Sequence, residues 1–321
     1  MVTKLKIALA QLNPLVGDVI GNTKKLIDVR SKLDEDIDIL VAPELYISGY
    51  PIDDLVLRED FLDLVEKEIN NLAKITTDNK SAIIVGAPRK NANSIKNSVF
   101  VIEKGEIISV KDKHELPNTG VFDEQRIFEK GVLENCVKIK GVNFGLPICE
   151  DIWKETVLKK LSQSGAEIII AINASPFTIS KYDERNDVAL SRVKETKLPI
   201  VYLNRTGGQD ELIFDGSSFS LNYDGKKFSS LEEFEEDIST IHFEKNNGKW
   251  IGYGNVKENS SQSERLYKAL VLGLRDYVKN NKFSGVVLGL SGGVDSALVA
   301  ALATDAFGSK FVQAIMLPSP Y

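Results

Sequence analysis

Three residues of this 321-residue chain could together break an amide bond. Glu44 follows the apolar run Ile37–Ala42 in LVAPELYISGYP, Lys113 follows Ile107–Lys111 in KDKHELPNTGVFDEQR, and Cys149 follows Val142–Ile148 in FGLPICEDIW. A thiol is mostly protonated at neutral pH, so a nucleophilic cysteine needs a base or a nearby cation. A carboxylate can take the proton as sulfur attacks the amide carbon. A lysine ammonium and a backbone N–H can then stabilise the oxyanion. A Cys–His arrangement is not available: the chain has only His114 and His242, and His114 points away from the side of Lys113 if that segment is extended. Each residue alone also has a plainer reading. A cysteine after an apolar strand is a small buried hydrophobe, which is how Cys136 is read; a glutamate there is a cap, and a lysine is surface.

A second stretch, GVVLGLSGGVDS over 285–296, joins an apolar strand ending at Leu290 to an expected helix at Ala297–Phe307. The glycine-rich turn between them offers backbone N–H groups and a helix N-terminus to an anion. It lacks the Gly-Lys-Ser/Thr ending of a P-loop and is not a GxGxxG pattern. Read by itself, it is a tight strand–helix turn.

The elements that must position these groups follow from periodicity. Strands are expected at Leu5–Ala10, Ile37–Ala42, Ala82–Gly86, Ser98–Glu103, Ile107–Lys111, Val137–Ile139, Val142–Ile148, Glu167–Ile172, Ile200–Asn204 and Ser217–Tyr223, and helices at Asn22–Leu33, Asp60–Thr76, Glu155–Ser164 and Asp183–Thr196. Glu103-Lys104-Gly105-Glu106 reads as a hairpin turn. Hairpins mixed with helices predict sheets packed on each other with helices outside. The acidic run Leu231–Asp237 reads as a solvated face or helix. Asn246-Asn247-Gly248 and Asn259–Ser263 are polar, turn-rich and linker-like. Ser261 to Glu264 fits a capping box, opening a helix expected to bury Leu266, Leu270, Leu274 and Tyr277. The domains are therefore 1–250, a linker at 251–262, and 263–321, a second domain that stops well short of a usual length.

Composition narrows the class. Hydrophobic residues are 43%, charged residues 27% and the net charge is −6, with Lys and Arg spread along the chain. That argues against nucleic acid as partner, and no apolar run reaches a membrane span. Two cysteines make no disulfide framework, and the expected compartment is cytoplasmic.

PELYISGYPIDDL, KHELPNTGVFDEQRIF and CEDIW, in that order, resemble the carbon–nitrogen hydrolase (nitrilase) superfamily, and in detail the glutaminase domain of the glutamine-dependent NAD synthetases, over residues 1–250. The resemblance implies a four-layer α–β–β–α sandwich, with Glu44 as general base, Lys113 and the Glu150 backbone N–H at the oxyanion, and Cys149 as nucleophile. It also implies Ser175 and Lys181, in INASPFTISK, as holders of the amino-acid part of glutamine. Glu124 is either a second carboxylate near the triad or a structural partner of Arg126. The family has tyrosine after LPN where this chain has Thr119, which puts glutamine selectivity in question.

SGGVDS resembles the pyrophosphate loop of N-type ATP pyrophosphatases, which implies ATP binding by Gly289, Leu290, Ser291, Gly292, Gly293, Val294, Asp295 and Ser296 in an adenine nucleotide α-hydrolase-like segment. Taken together, the modules imply that ammonia from glutamine amidates nicotinic acid adenine dinucleotide at the expense of ATP with Mg²⁺. No cofactor is expected for the amide step, no metal site in this stretch, and a homo-oligomer is expected. The chain reads as the glutaminase and only the start of the synthetase. Two other readings stand beside this one, an amidase for another small amide and a catalytically idle subunit fragment.

Overall fold

Alternating side chains of the strands serve two different interfaces, and this sets the layering. The computed structural model describes residues 2–316, apart from 79 and 93; the expected second domain's last residues, 317–321, lie outside them. Strands β1 (Lys4–Gln11), β2 (Ile39–Val41), β3 (Ala82–Asn91), β4 (Ser94–Glu103) and β5 (Glu106–Asp112) belong to a first sheet. Strands β6 (Val137–Ile139), β7 (Val142–Gly145), β8 (Ile168–Asn173) and β9 (Ile200–Asn204) belong to a second. A short hairpin, β10 (Thr206–Gln209) and β11 (Leu212–Asp215), precedes β12 (Phe219–Leu221) and β13 (Lys227–Ser230), which complete the second sheet. The chain then returns through β14 (Asp237–Asn246) and β15 (Lys249–Tyr253) to the first sheet, whose order is β15-β14-β1-β2-β3-β4-β5.

Ile7 and Leu9 of β1 join Ile39, Val41, Phe144, Ile170 and Leu203 in a core between the sheets. Ala8 and Ala10 face the other way, toward α1 (Val19–Ser31) and α2 (Glu59–Ile75), with Leu26, Val65 and Ile69 in the same cluster. On the second sheet, Ile169, Ala171 and Tyr202 likewise meet Leu158 and Leu161 of α3 (Glu155–Gln163) and Ala189 and Val193 of α4 (Lys181–Thr196). Each such large apolar side chain contributes roughly 1.5–3 kcal/mol by leaving water, so both faces of every central strand hold the sandwich together. The four-layer α–β–β–α architecture expected from the sequence is present.

Three local expectations are corrected. Leu231–Asp237 forms no helix; Glu232, Glu235 and Glu236 are exposed as the expected solvated face, but Leu231 and Phe234 are buried and Glu233 bridges to Gly216. Asn246-Asn247-Gly248 is no linker but the tight turn joining β14 to β15, with Asn247 and Gly248 at φ 49° and 80°. The sheet thus runs to Tyr253, past the expected boundary at 250. The long helix α5 (Gln262–Asn280) buries Arg265, Ala269, Leu272, Asp276 and Val278, while Leu266, Leu270 and Tyr277 remain exposed and Leu274 is half-buried. The buried face is set by packing on the β10–β11 hairpin. The opposite side of α5 meets α6 (Val294–Phe307), which lies on the parallel pair β16 (Val286–Leu290) and β17 (Val312–Met316). No helix among the described residues is long and apolar enough to cross a membrane.

Backbone contact between β3 and the segment after β2 fixes where Glu44 emerges. Gly86 N–H donates to Pro43 O, and its own carbonyl accepts from Ile47 N–H. A Cβ on Gly86 would sit 2.4 Å from Leu45 N and 2.6 Å from Pro43 O. Both atoms are backbone, so the glutamate segment itself would have to move. We expect Gly86→Ala to lower stability by about 1–3 kcal/mol, read as a lower midpoint in urea unfolding; an unchanged midpoint would show that the segment yields freely.

Candidate active site

The C-terminal ends of parallel strands from both sheets converge on one buried cluster. Glu44 lies just past β2, Lys113 just past β5, Cys149 beyond β7, and Ala174 and Ser175 just past β8. Lys113 N–H donates to Asn97 O of β4, and Gly131 N–H to Lys113 O, so the lysine backbone is pinned on both sides. Cys149 opens a short 3₁₀ turn, Cys149–Trp153, at φ 46°. This left-handed value is uncommon for a residue with a Cβ and is kept only where surroundings enforce it. Asp151 supplies the enforcement. Its Oδ2 accepts from Ile148 N–H at 3.0 Å, and its Oδ1 accepts from His114 N–H at 3.0 Å and Glu115 N–H at 2.7 Å. One buried carboxylate therefore ties the cysteine turn to the segment carrying Lys113. Burial pushes Asp151 up to about 7, against the pull of those backbone donors.

Lys113 Nζ donates to Glu44 Oε1 at 2.7 Å and to Glu124 Oε1 at 2.8 Å, and all three side chains are shut off from solvent. Glu44 Oε1 also accepts from Asn97 Nδ2, and its Oε2 from Ala174 N–H, each at 2.8 Å. A carboxylate has about four acceptor sites, so one remains on Glu44. Tyr50 OH donates to Glu124 Oε1 at 3.0 Å, while Glu124 Oε2 is buried without a partner among the described residues. Glu124 therefore sits with the triad; Arg126 pairs instead with Asp54 and Asp123.

Electrostatics follow from this geometry. Burial alone would lower Lys113, but Glu124 and Glu44 hold its ammonium well above the ordinary lysine value. Burial raises Glu124, with Lys113 opposing and Glu44 adding to the rise. Burial also lifts the Cys149 thiol well above its usual value; Glu44 adds to this and Lys113 opposes it. Burial and the Glu44 charge thus favour the protonated thiol, an arrangement suited to proton removal during attack rather than before it.

The remaining expected residues are spread more widely. Ser175 is buried, its Oγ accepting from Arg185 Nε at 3.1 Å. Lys181 begins α4, with Nζ 3.2 Å from Glu184 and 4.4 Å from the centre of the Trp153 ring. Glu150 is half-buried in the cysteine turn. Thr119 is exposed in a turn whose carbonyl accepts from Phe122 N–H, and none of its hydrogen bonds reach the cluster. Gly289–Ser296 lies apart, where β16 meets α6. There Ser296 Oγ is 3.1 Å from Ser291 Oγ and donates to Gly293 O, and Ser291 to Asp295 are exposed. The helix starts at Val294, inside the motif and three residues before the expected start. Sequence reasoning missed Tyr50, Asn97, Asp151, Arg185 and Asp215. Asp151 stands two residues after Cys149 and Tyr50 six after Glu44, so nearness to the motifs was a usable signal. Asn97 and Asp215 carry no such mark.

The carbon-nitrogen hydrolase model matches residues 6–250, and the NAD synthase model matches residues 266–321. The chain is 39% identical over 323 residues to the glutamine-dependent NAD(+) synthetase of Rhodobacter capsulatus, covering all of this chain and 58% of the relative. It is 37% identical over 348 residues to that of Aquifex aeolicus (strain VF5), covering 99% and 61%. Among solved structures, it is similar to the glutamine-dependent NAD+ synthetase of Acinetobacter baumannii in complex with ADP. That likeness has a TM-score of 0.94 and 36% identity, covering 99% of this chain and 60% of that one. An amidase from Nesterenkonia sp. shares the fold, with a TM-score of 0.65 and 20% identity over 74% of this chain and 89% of its own. This chain spans about three fifths of the length of the curated relatives it matches. By fold, motifs and family match, the chain belongs to the carbon–nitrogen hydrolase family.

Proposed function

We propose that residues 1–253 hydrolyse the side-chain amide of glutamine, and that the ammonia serves ATP-dependent amidation of nicotinic acid adenine dinucleotide to NAD in a protein of the relatives' length. The observation that carries the first half is the buried Glu44–Lys113–Glu124 cluster, whose charges act on the buried Cys149. The second half rests on the NAD synthase match and on the glycine-rich turn at 289–296. In this reading the linker begins after Tyr253, the second unit starts with α5, and the protein is a cytoplasmic homo-oligomer.

Glu44 takes the thiol proton at its unused acceptor site as Cys149 sulfur attacks the amide carbon. Lys113 and the Glu150 N–H, which as the second residue of a helical turn lacks an intrahelical acceptor, hold the oxyanion. The proton passes to the departing nitrogen, and the free Glu124 Oε2 offers an acceptor for its N–H. Water, deprotonated by Glu44, then cleaves the thioester. Ser175 and Lys181 bind the amino-acid end, the lysine through the substrate carboxylate. Among the described residues no group of three or more His, Cys, Asp or Glu could hold a metal ion. The small-amide reading keeps one observation in its favour, the exposed Thr119 at the family's tyrosine position.

Three measurements test this. Glutamate release from glutamine should vanish in Cys149→Ala and fall by about 10²–10⁴-fold in Glu44→Gln, the usual range for a lost general base; faster turnover of simple aliphatic amides than of glutamine would favour the other substrate class. Thiolate ultraviolet absorbance, taken as wild type minus Cys149→Ala, should stay flat from about pH 6 to 8, because burial and Glu44 keep the raised thiol protonated there. A rise centred near neutrality would mean a resting thiolate–lysine pair. In a protein of the relatives' full length, Cys149→Ala should abolish glutamine-driven NAD synthesis and spare ammonia-driven synthesis; loss of both would count against two separate sites.

A further inference from the structure

Helix α5 belongs by sequence to the second unit, yet its buried face is turned to the amide-hydrolysing one. Arg265, Ala269, Leu272 and Asp276 recur at helical spacing and are all buried. The approach to the β10–β11 hairpin is tight. A Cβ on Gly208 would lie 3.1 Å from Gly273 Cα, so two glycines let strand and helix touch. Into this contact the helix brings two ionised groups, which persist out of water only when partnered. Their partners lead to the site.

Asp276 Oδ2 accepts from Gly208 N–H and from Asn13 Nδ2, each at 2.8 Å. Asn13 Oδ1 accepts from Arg205 Nη2 at 3.0 Å. Arg205 is fully buried over the Phe214 ring and donates to the carbonyls of Tyr50, Pro14 and Thr206. Among the described residues no carboxylate is bonded to it. Burial lowers it to about 9, and Asp276 is the foremost charge opposing that fall. Asp276, whose Oδ1 also lies 3.6 Å from Arg275 Nε, is thus linked to Arg205 through Asn13, and the Tyr50 that Arg205 grips holds Glu124 against Lys113.

The second arm starts one helical stretch earlier. Arg265 is held by charge proximity rather than by hydrogen bonds: its Nε is 3.0 Å from Glu233 Oε1 and its Nη2 3.6 Å from Asp215 Oδ2, neither nitrogen has a hydrogen-bond partner among the described residues, and its guanidinium lies 4.7 Å from the Tyr182 ring centre. Asp215 receives Arg185 Nη1 at 2.8 and 3.0 Å, and Arg185 grips Ser175 through Nε to Oγ and Nη2 to the carbonyl.

We propose that α5 is a working part of the amide site. Asp276 and Arg265 are positioning residues that fix, through Arg205–Tyr50 and through Asp215–Arg185, the Glu124–Lys113 pair and Ser175 respectively. The inference deepens the functional reading above and rests on its assignment of those groups.

The test is glutamine hydrolysis by the 321-residue chain, with kcat and KM taken per folded molecule. Asp276→Ala should lower kcat roughly tenfold with little change in KM, because the group it steadies acts in the chemical step. Arg265→Ala should raise KM roughly tenfold with little change in kcat, because Ser175 acts in binding. Arg265→Lys and Asp276→Glu should restore much of each loss. Lower thermal midpoints with kcat and KM both unchanged would overturn the proposal, since that pattern marks a purely structural clamp. Should the alanine variants fail to fold, Asp276→Asn, which keeps an acceptor for Gly208 N–H but not the charge, is scored in the same way. If the wild type releases no glutamate, the functional reading fails on its own. The variants are then scored by the rate at which chloroacetamide labels Cys149: slower labelling in Asp276→Asn supports the brace, and an unchanged rate overturns it.

Discussion

Lys113 sits 2.7 Å from one carboxylate and 2.8 Å from another, with all three side chains removed from solvent. Stripping water from three charges is costly, and their attraction offsets it only when every remaining lone pair is nearly satisfied. Most of the surrounding structure supplies those partners. Asn97 comes from β4, the Ala174 N–H from the end of β8 in the opposite sheet, and Tyr50 from the segment beyond Glu44. Charge satisfaction therefore demands that the two sheets end at the same place. Replacing Lys113 alone would leave two buried carboxylates facing each other, a change of the kind that costs about 3–5 kcal/mol. By contrast, exposed pairs such as Arg58–Asp60 hold little energy in high dielectric.

The same cluster sets the chemistry. A thiol whose ionisation burial opposes is a weak resting nucleophile, but Glu44, whose charge acts on it, has one acceptor site still open. An ammonium already fixed by two anions needs no reorganisation when an oxyanion develops nearby, which is where electrostatic stabilisation is most effective. Cys149 in its left-handed conformation presents sulfur at the strand end, and Asp151 holds that turn to the lysine segment through three backbone donors.

Helix α5 extends this logic across the chain. One face meets the β10–β11 hairpin, where its charged groups have partners that run toward the cluster, and the other meets α6. Tyr267 OH donates to Asp305 on α6 at 2.7 Å, so the helix is bonded on both sides. Its exposed Leu266, Leu270 and Tyr277 are arranged as an apolar stripe, which explains why periodicity pointed to the wrong buried face. The face that closes on the hairpin is mixed: Ala269 and Leu272 pack with Phe234, Phe177 and Ile213, with Arg265 and Asp276 buried beside them, so hydrophobicity alone does not mark it.

What the sequence determined by itself was whatever depends on neighbours along the chain. Strand and helix periodicity located the main elements of both sheets, and long motifs carried Glu44, Lys113 and Cys149 together with the α–β–β–α layering. Only the tertiary structure decided what depends on residues far apart. Glu124 could pair with Arg126 two positions away or with Lys113; folding chose Lys113, because a buried carboxylate needs a cation while an exposed arginine finds others. Asn97, Arg185 and Asp215 carry no local mark, since polar residues in strands and helices are ordinarily solvent-facing and only long-range packing reveals them as buried. The acidic stretch after Leu231 and the Asn247-Gly248 turn were legible only in part for the same reason, the first as a solvated face and the second as turn-rich. Their composition is that of a surface, and only pairing with β1 and Arg265 turned them into parts of a sheet and of a buried ion contact.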